Sequence, residues 1–146
     1  MAQFIQFIHV LCGVSFLGII IASFVYITKS IKQQDIQLLR YAIKTSLLGD
    51  CILFPIILIQ ILTGTFLVYY YHLSLNTPWV IVAYIIFFIA AIIWFLLAFI
   101  KYLNLSTPHF RYKKLFYFLN ILIIVLFCMI IHDAVTQQTW LYNGAY

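Results

Sequence analysis

The sequence is short of charged residues. Only 8% of its 146 residues are charged, whereas 66% are hydrophobic. Because soluble domains carry about a quarter of charged residues, this chain lacks the polar surface that a water-soluble fold needs. We therefore expect the lipid bilayer to be its solvent, and the length suits a single membrane domain over residues 1–146.

The sequence also lacks the alternation of apolar and polar residues that marks transmembrane β-strands. It has instead four apolar runs, and each reaches the roughly 20 residues that a helix needs to cross the hydrocarbon. Helices satisfy their backbone hydrogen bonds internally, as lipid requires. We predict an all-α fold, an integral membrane up-down four-helix bundle, with helices at about residues 4–28, 41–71, 78–101 and 109–137.

Several motifs of soluble chemistry are absent. The chain has no G-x-x-x-x-G-K-[ST], H-E-x-x-H or G-x-S-x-G, so nucleotide and hydrolase chemistry have no support. It has no C-x-x-C-H, which excludes covalent haem attachment. The three cysteines, Cys12, Cys51 and Cys128, all fall inside apolar runs, and an odd number of embedded thiols does not indicate a disulfide framework.

Positive charge is missing from one side of the predicted bundle. All eight lysines and arginines flank the first and third connections: Lys29, Lys32, Arg40, Lys44, Lys101, Arg111, Lys113 and Lys114. The positive-inside rule places these connections in the cytoplasm and both termini on the outer, periplasmic side of a bacterial inner membrane. The net charge of +5 then needs no nucleic-acid partner, because topology and attraction to anionic inner-leaflet lipids explain it.

Two histidines interrupt the apolar runs at matching depths. His9 lies roughly 8 Å from the outer end of the first helix, and His132 lies at a similar depth in the fourth. Cys12, Gly13 and Cys128 lie one turn deeper on the same faces and leave room. We predict that His9 and His132 are the axial ligands of a b-type haem iron. The alternative is that each ring only bonds to a carbonyl or to water, since Asp133 should not face its helix neighbour His132.

Other polar groups within or beside the spans are candidates for function or for helix ties. Asp50 would carry protons, or tie helices together with Ser46 and a lysine or arginine that reaches in from the other basic loop. His72 looks interfacial, although it could cap the outer site, and it or Asp133 could serve proton exchange. Gln60, together with Thr63 and Asn120, is expected to form interhelical hydrogen bonds.

Local patterns predict helix starts and close helix contacts. Thr77 and Thr107, each followed by a proline, are expected to cap the third and fourth helices. Gly18 with Ala22 forms a small-residue face that should let the first helix approach the fourth, and Gly64 could do the same for the second.

The stretches I-H-V-L-C-G-V-S-F-L-G, G-D-C-I-L-F-P-I-I-L-I-Q-I-L-T-G-T and T-P-W-V-I-V-A-Y-I-I-F-F-I-A-A-I-I-W resemble a bacterial family of integral membrane proteins, domain of unknown function 2269. The matching positions are His9, Gly18, Asp50, Pro55, Thr63, Gly64, Trp79 and Trp94. The chain is more distantly similar to HemJ-type protoporphyrinogen oxidases and CopD-like membrane domains. That likeness implies haem or porphyrin chemistry at His9, although the V-I-V-A-Y after Trp79 departs from the HemJ pattern.

Three functions follow from these observations. The first is a small b-type cytochrome near the outer face that exchanges electrons with quinone or a membrane partner. The second is a non-enzymatic accessory or assembly subunit of a larger membrane complex or homo-oligomer, in which the polar residues only tie helices together. The third is a HemJ-like protoporphyrinogen oxidase.

Overall fold

The structure is a computed structural model that describes residues 1–136. It contains four helices, α1 (Ala2–Gln33), α2 (Ile36–Tyr70), α3 (Pro78–Leu103) and α4 (Lys113–Thr136), and no strand within the described residues. Each helix is long and apolar enough to cross a membrane, which confirms the predicted all-α membrane fold. The prediction for Gln137, the last residue of the expected fourth helix, lies outside the described residues.

The first two helices extend further than the apolar runs predict. Helix α1 continues beyond residue 28 to Gln33, and α2 begins at Ile36 rather than at 41. Only two residues join them, because Gln34 ends α1 in a left-handed conformation (φ 56°) and Asp35 caps α2. The Asp35 carboxylate accepts hydrogen bonds from the backbone N–H groups of residues 37 and 38. The polar stretch is therefore helical, since a helix outside the hydrocarbon needs no apolar surface on every side.

The two Thr-Pro sequences have different structural roles. Thr77 and Pro78 begin α3 as predicted, although the Thr77 side chain makes no capping hydrogen bond. The same prediction for Thr107 is wrong, because α4 begins only at Lys113. The loop there folds around Asn104, which is 0% exposed and whose side chain accepts a hydrogen bond from the Arg111 backbone N–H. Thr107 donates its hydroxyl to the Asn104 carbonyl instead of capping a helix.

The helices pack in chain order, and α4 returns to α1, so that the bundle closes as an up-down arrangement. Aromatic rings make the contact between α1 and α4. Phe16 stacks on Phe127 with ring centroids 4.4 Å apart, and Phe24 lies 6.1 Å from Phe116. These two pairs fix an antiparallel register between α1 and α4.

The small-residue face predicted between α1 and α4 does not form a helix contact. Gly18 and Ala22 are both exposed, and a Cβ added to Gly18 would meet no atom within 4 Å. This side of α1 faces the lipid, because the large rings of Phe16 and Phe24 occupy the interface with α4. Gly64 on α2, by contrast, is a point of close approach, as expected.

Candidate functional site

His9 lies against α2 and uses both of its ring nitrogens there. Its Nδ1 lies 2.9 Å from the Thr63 hydroxyl, and its Nε2 lies 3.1 Å from the side-chain nitrogen of Gln60. The two partners are almost one turn apart on α2, so both face α1. We call His9, Gln60, Thr63, Gly13 and Gly64 the His9 cluster. Two of the predicted interhelical hydrogen bonds, those of Gln60 and Thr63, are therefore present.

The neighbouring hydrogen bonds define the protonation of the His9 ring. The hydroxyl hydrogen of Thr63 goes to the Ile59 carbonyl, 2.6 Å away, so the Thr63 oxygen can only accept from the imidazole. Nδ1 must then carry the hydrogen. The amide nitrogen of Gln60 can only donate, so Nε2 accepts from it with its lone pair. His9 is accordingly a neutral ring in which both nitrogens have a partner.

Two glycines make room for these side chains, one on each helix. A Cβ added to Gly64 of α2 would lie 3.0 Å from Cε1 of His9, and one added to Gly13 of α1 would lie 3.6 Å from the Gln60 nitrogen. The imidazole therefore packs against Gly64, and the amide packs over Gly13. The arrangement is reciprocal, since each large polar side chain lies on a glycine of the opposite helix.

His132 and Asp133 contact each other directly, which corrects the expectation that adjacent residues face apart. Nδ1 of His132 lies 3.2 Å from one carboxylate oxygen of Asp133. Asp133 is 2% exposed, whereas His132 is only half-buried. The second oxygen of Asp133 is buried without a hydrogen-bond partner in the part of the chain that the structure describes.

The predicted haem site needs His9 and His132 to meet. The register set by Phe16 and Phe127 places the two histidines at nearly the same level, but the His9 ring points to α2 rather than to α4. The space below them on the α1–α4 side is filled by the stack of Phe16 on Phe127. As arranged, these residues do not fit a bis-histidine haem, which would require His9 to release Gln60 and the aromatic stack to open. Haem ligation stays a prediction.

A second cluster surrounds Asp50 at the end of the bundle that carries the lysines and arginines, which we call the basic end. One carboxylate oxygen of Asp50 lies 2.5 Å from Nζ of Lys101 on α3, and the other accepts from the Trp94 indole at 3.1 Å. Both charged side chains are buried, with 4% of Lys101 and 8% of Asp50 exposed. A basic residue from the other loop region does reach Asp50, as the sequence predicts.

The same lysine connects a third helix to the Asp50 cluster. Lys101 also donates to the Ser46 hydroxyl at 3.0 Å, and Ser46 is hydrogen-bonded to Ser23 of α1. One buried ammonium therefore links α3 to α2, and through Ser46 to α1. The ammonium thereby pairs with Asp50 and Ser46, two polar groups that lie buried in an apolar environment.

An apolar layer separates the two clusters. Asp50 and Gln60 lie on the same helix roughly 15 Å apart at 1.5 Å per residue. Between them, Leu53 is 0% and Ile57 is 8% exposed, and both belong to the hydrophobic core. No chain of side-chain hydrogen bonds among the described residues joins the two clusters. A proton-carrying role for Asp50 stays a prediction.

His72 and Asn120 are two further polar residues for which the sequence predicts a role. His72 is exposed at the end of α2 with a left-handed backbone (φ 54°), which suits an interfacial residue. The prediction of an interhelical bond for Asn120 is wrong, because its amide donates to the Phe116 carbonyl of its own helix. A buried asparagine can satisfy itself in this way without a partner helix.

A known protein family matches most of the chain. Residues 3–137 match the model of the family described as predicted integral membrane protein (DUF2269). The chain belongs to this family. No curated protein and no solved structure matches it. Of the positions on which the resemblance rests, His9, Thr63 and Gly64 come together in one cluster, and Asp50 and Trp94 come together in the other.

Sequence reasoning did not assign three residues to these clusters. Lys101 was expected at the end of the third helix beside a cytoplasmic connection, whereas it is 4% exposed and pairs with Asp50. For Trp94 the sequence did offer a signal, its indole N–H, because a buried indole N–H requires a hydrogen-bond acceptor. Gly13 could be found only through its partner, since nothing in the sequence shows that Gln60 lies over it.

Proposed function

We propose that this DUF2269 chain is a non-enzymatic accessory or assembly subunit of a membrane complex. The observation that carries the proposal is the pairing of two costly polar groups, His9 and Asp50, with side chains on neighbouring helices. Both ring nitrogens of His9 and both carboxylate oxygens of Asp50 have partners on a neighbouring helix. Groups that bind a substrate or a metal need an open position, whereas groups that fix helix packing are satisfied by each other.

The lipid-facing surface indicates where such a subunit would meet its partner. Helix α2 buries the smallest share of its span inside the bundle, 17%, against 28% for each of the other helices. Leu62 is the most exposed leucine on it, at 70%. A partner helix in the bilayer would therefore find its largest free surface on α2, where packing rather than the hydrophobic effect drives association.

The test is the size of the complex in native membranes. The tagged protein is extracted in mild detergent and resolved by native electrophoresis, with Leu62→Trp as the probe and Leu96→Trp, on the exposed side of α3, as the matched control. We expect a species well above the 17.1 kDa chain that Leu62→Trp dissociates and Leu96→Trp leaves intact. A monomer in all three preparations would contradict the proposal.

A small b-type cytochrome that exchanges electrons with quinone is the second candidate. One observation favours it: Thr63 holds the hydrogen on Nδ1 of His9, which leaves Nε2 as the nitrogen with a lone pair. Ligand histidines are commonly oriented by such a hydrogen bond on the other nitrogen. In this candidate His9 and His132 would be the residues that hold the haem, which would supply the electron-transfer chemistry.

A reduced-minus-oxidised visible spectrum of the purified protein decides between the candidates. The cytochrome hypothesis expects a b-type band that His9→Ala and His132→Ala each abolish and that the exposed control His109→Ala retains. A colourless protein would count against the cytochrome and leave the accessory subunit as the better account.

A further inference from the structure

A groove opens at the basic end between the two connections that join α1 to α2 and α3 to α4. Its volume is about 250 Å³. Its lining combines side chains from both connections and the adjoining helix ends: Ser30, Ile31, Gln34, Asp35, Ile36, Leu39, Pro108, His109, Phe110 and Lys113. We call it the basic-end groove.

One part of the lining is polar and the rest is apolar. Lys113, His109 and the amide of Gln34 offer hydrogen-bond donors, whereas Leu39 and Phe110 are buried members of the hydrophobic core. A free inorganic ion would gain nothing from the apolar wall. An amphiphile with a charged headgroup would contact the polar part of the lining with the headgroup and the apolar part with its adjoining apolar atoms.

The charge around the groove selects an anion. All eight lysines and arginines of the chain flank the connections at this end. The one acid in the lining, Asp35, directs a carboxylate oxygen to the backbone N–H groups of Gln37 and Leu38, so its charge is paired with the positive end of the α2 dipole. The field at the groove is therefore positive.

We propose that the basic-end groove binds the phosphate headgroup of an anionic phospholipid in the leaflet that this end faces. Lys113 supplies the charge and Gln34 and His109 supply further donors. The groove is smaller than the roughly 300–1,000 Å³ of a typical small-molecule pocket, so it holds the headgroup and the apolar atoms next to it but not the full acyl chains. The acyl chains then continue along the apolar part of α4, which begins at the exposed Leu115.

The test compares two neighbouring lysines. Lys113 lines the groove and Lys114 does not, although both are exposed and carry the same charge at the same end. Protein purified in mild detergent is mixed with phosphatidylglycerol or phosphatidylcholine, and retained lipid is counted by native mass spectrometry. We expect retention of phosphatidylglycerol over phosphatidylcholine, a fall of about fivefold in Lys113→Gln, and less than about twofold in Lys114→Gln.

Three outcomes would overturn the proposal. Equal losses in both variants would mean a diffuse effect of surface charge rather than a site. Equal retention of both lipids in the wild-type protein would mean that the headgroup is not recognised. Displacement of the lipid by millimolar inorganic phosphate would make the groove a site for free phosphate. An unchanged unfolding midpoint for both variants confirms that the fold is intact.

Discussion

Gly64 and the His9 imidazole fit together so closely that a single added methyl group tests the contact. In Gly64→Ala the new Cβ would lie 3.0 Å from Cε1 of His9, so the ring must shift and weaken its bonds to Thr63 and Gln60. We expect a loss of about 1–3 kcal/mol in the free energy of unfolding, as for other over-packed sites. Denaturation in mixed micelles, followed by circular dichroism, measures it.

The same chain provides two controls for this experiment. Gly18→Ala meets no atom within 4 Å, so it should be neutral or should stabilise the helix by about 0.5–1 kcal/mol. In a His9→Ala background the clash at Gly64 disappears, so the second substitution should then cost almost nothing. A Gly64→Ala variant as stable as wild type would show that the imidazole does not pack there.

Gln60 and His9 should be energetically coupled. Each single alanine substitution strands one partner of the bond, and their double-mutant cycle isolates the interaction. We expect a coupling free energy of about 0.6–1.7 kcal/mol, from the average to the maximum that such cycles give for hydrogen bonds between membrane helices. The matched cycle of His9 with Gln6, whose side chain bonds to Tyr71 instead, should give a value near zero.

At the scale of helices, α1 and α2 form one long hairpin whose polar contacts share a single register. Ser23 contacts Ser46, and His9 contacts Gln60. Moving one residue forward along α1 therefore moves the contact one residue backward along α2. The two-residue turn at Gln34 and Asp35 sets this register at one end. Both polar contacts keep the register that this turn sets.

The buried pair of Asp50 and Lys101 should behave differently when one or both partners are removed. Lys101→Met leaves the Asp50 carboxylate buried without its counter-ion, and we expect a loss of about 3–5 kcal/mol in unfolding free energy. The double substitution Asp50→Leu with Lys101→Met removes both charges and should recover most of the loss. Unfolding midpoints of the three variants test this, and a double variant as unstable as the single one would contradict it.

Helix positions were readable from the sequence, but helix rotations were not. Hydropathy locates the spans because lipid demands long apolar runs. It does not show which face turns inward, since the spans are apolar on nearly every side and lack an amphipathic stripe. The prediction for Gly18 failed for this reason, and so did the expectation that His9 would turn to α4. The partner of Asp50 was easier to predict, because a buried carboxylate needs a cation and few lysines or arginines lie within reach of it.

On the scale of the whole molecule, the bundle carries one polar cluster toward each end and an apolar layer between them. The His9 cluster ties α1 to α2, and the Asp50 cluster ties α2 to α3 and α1. Aromatic stacking closes the side between α1 and α4. Orientation in the membrane stays a prediction of the positive-inside rule, in which the basic end is cytoplasmic.

The state of the His9 ring tests the account most directly. Protein labelled with ¹⁵N-histidine and placed in lipid nanodiscs gives imidazole nitrogen signals, and His9→Gln assigns the one from His9. The account predicts a neutral ring with hydrogen on Nδ1, a hydrogen bond from Nδ1 to Thr63 and no paramagnetic broadening. A His9 signal shifted or erased by a nearby iron, and restored when haem is removed, would contradict it.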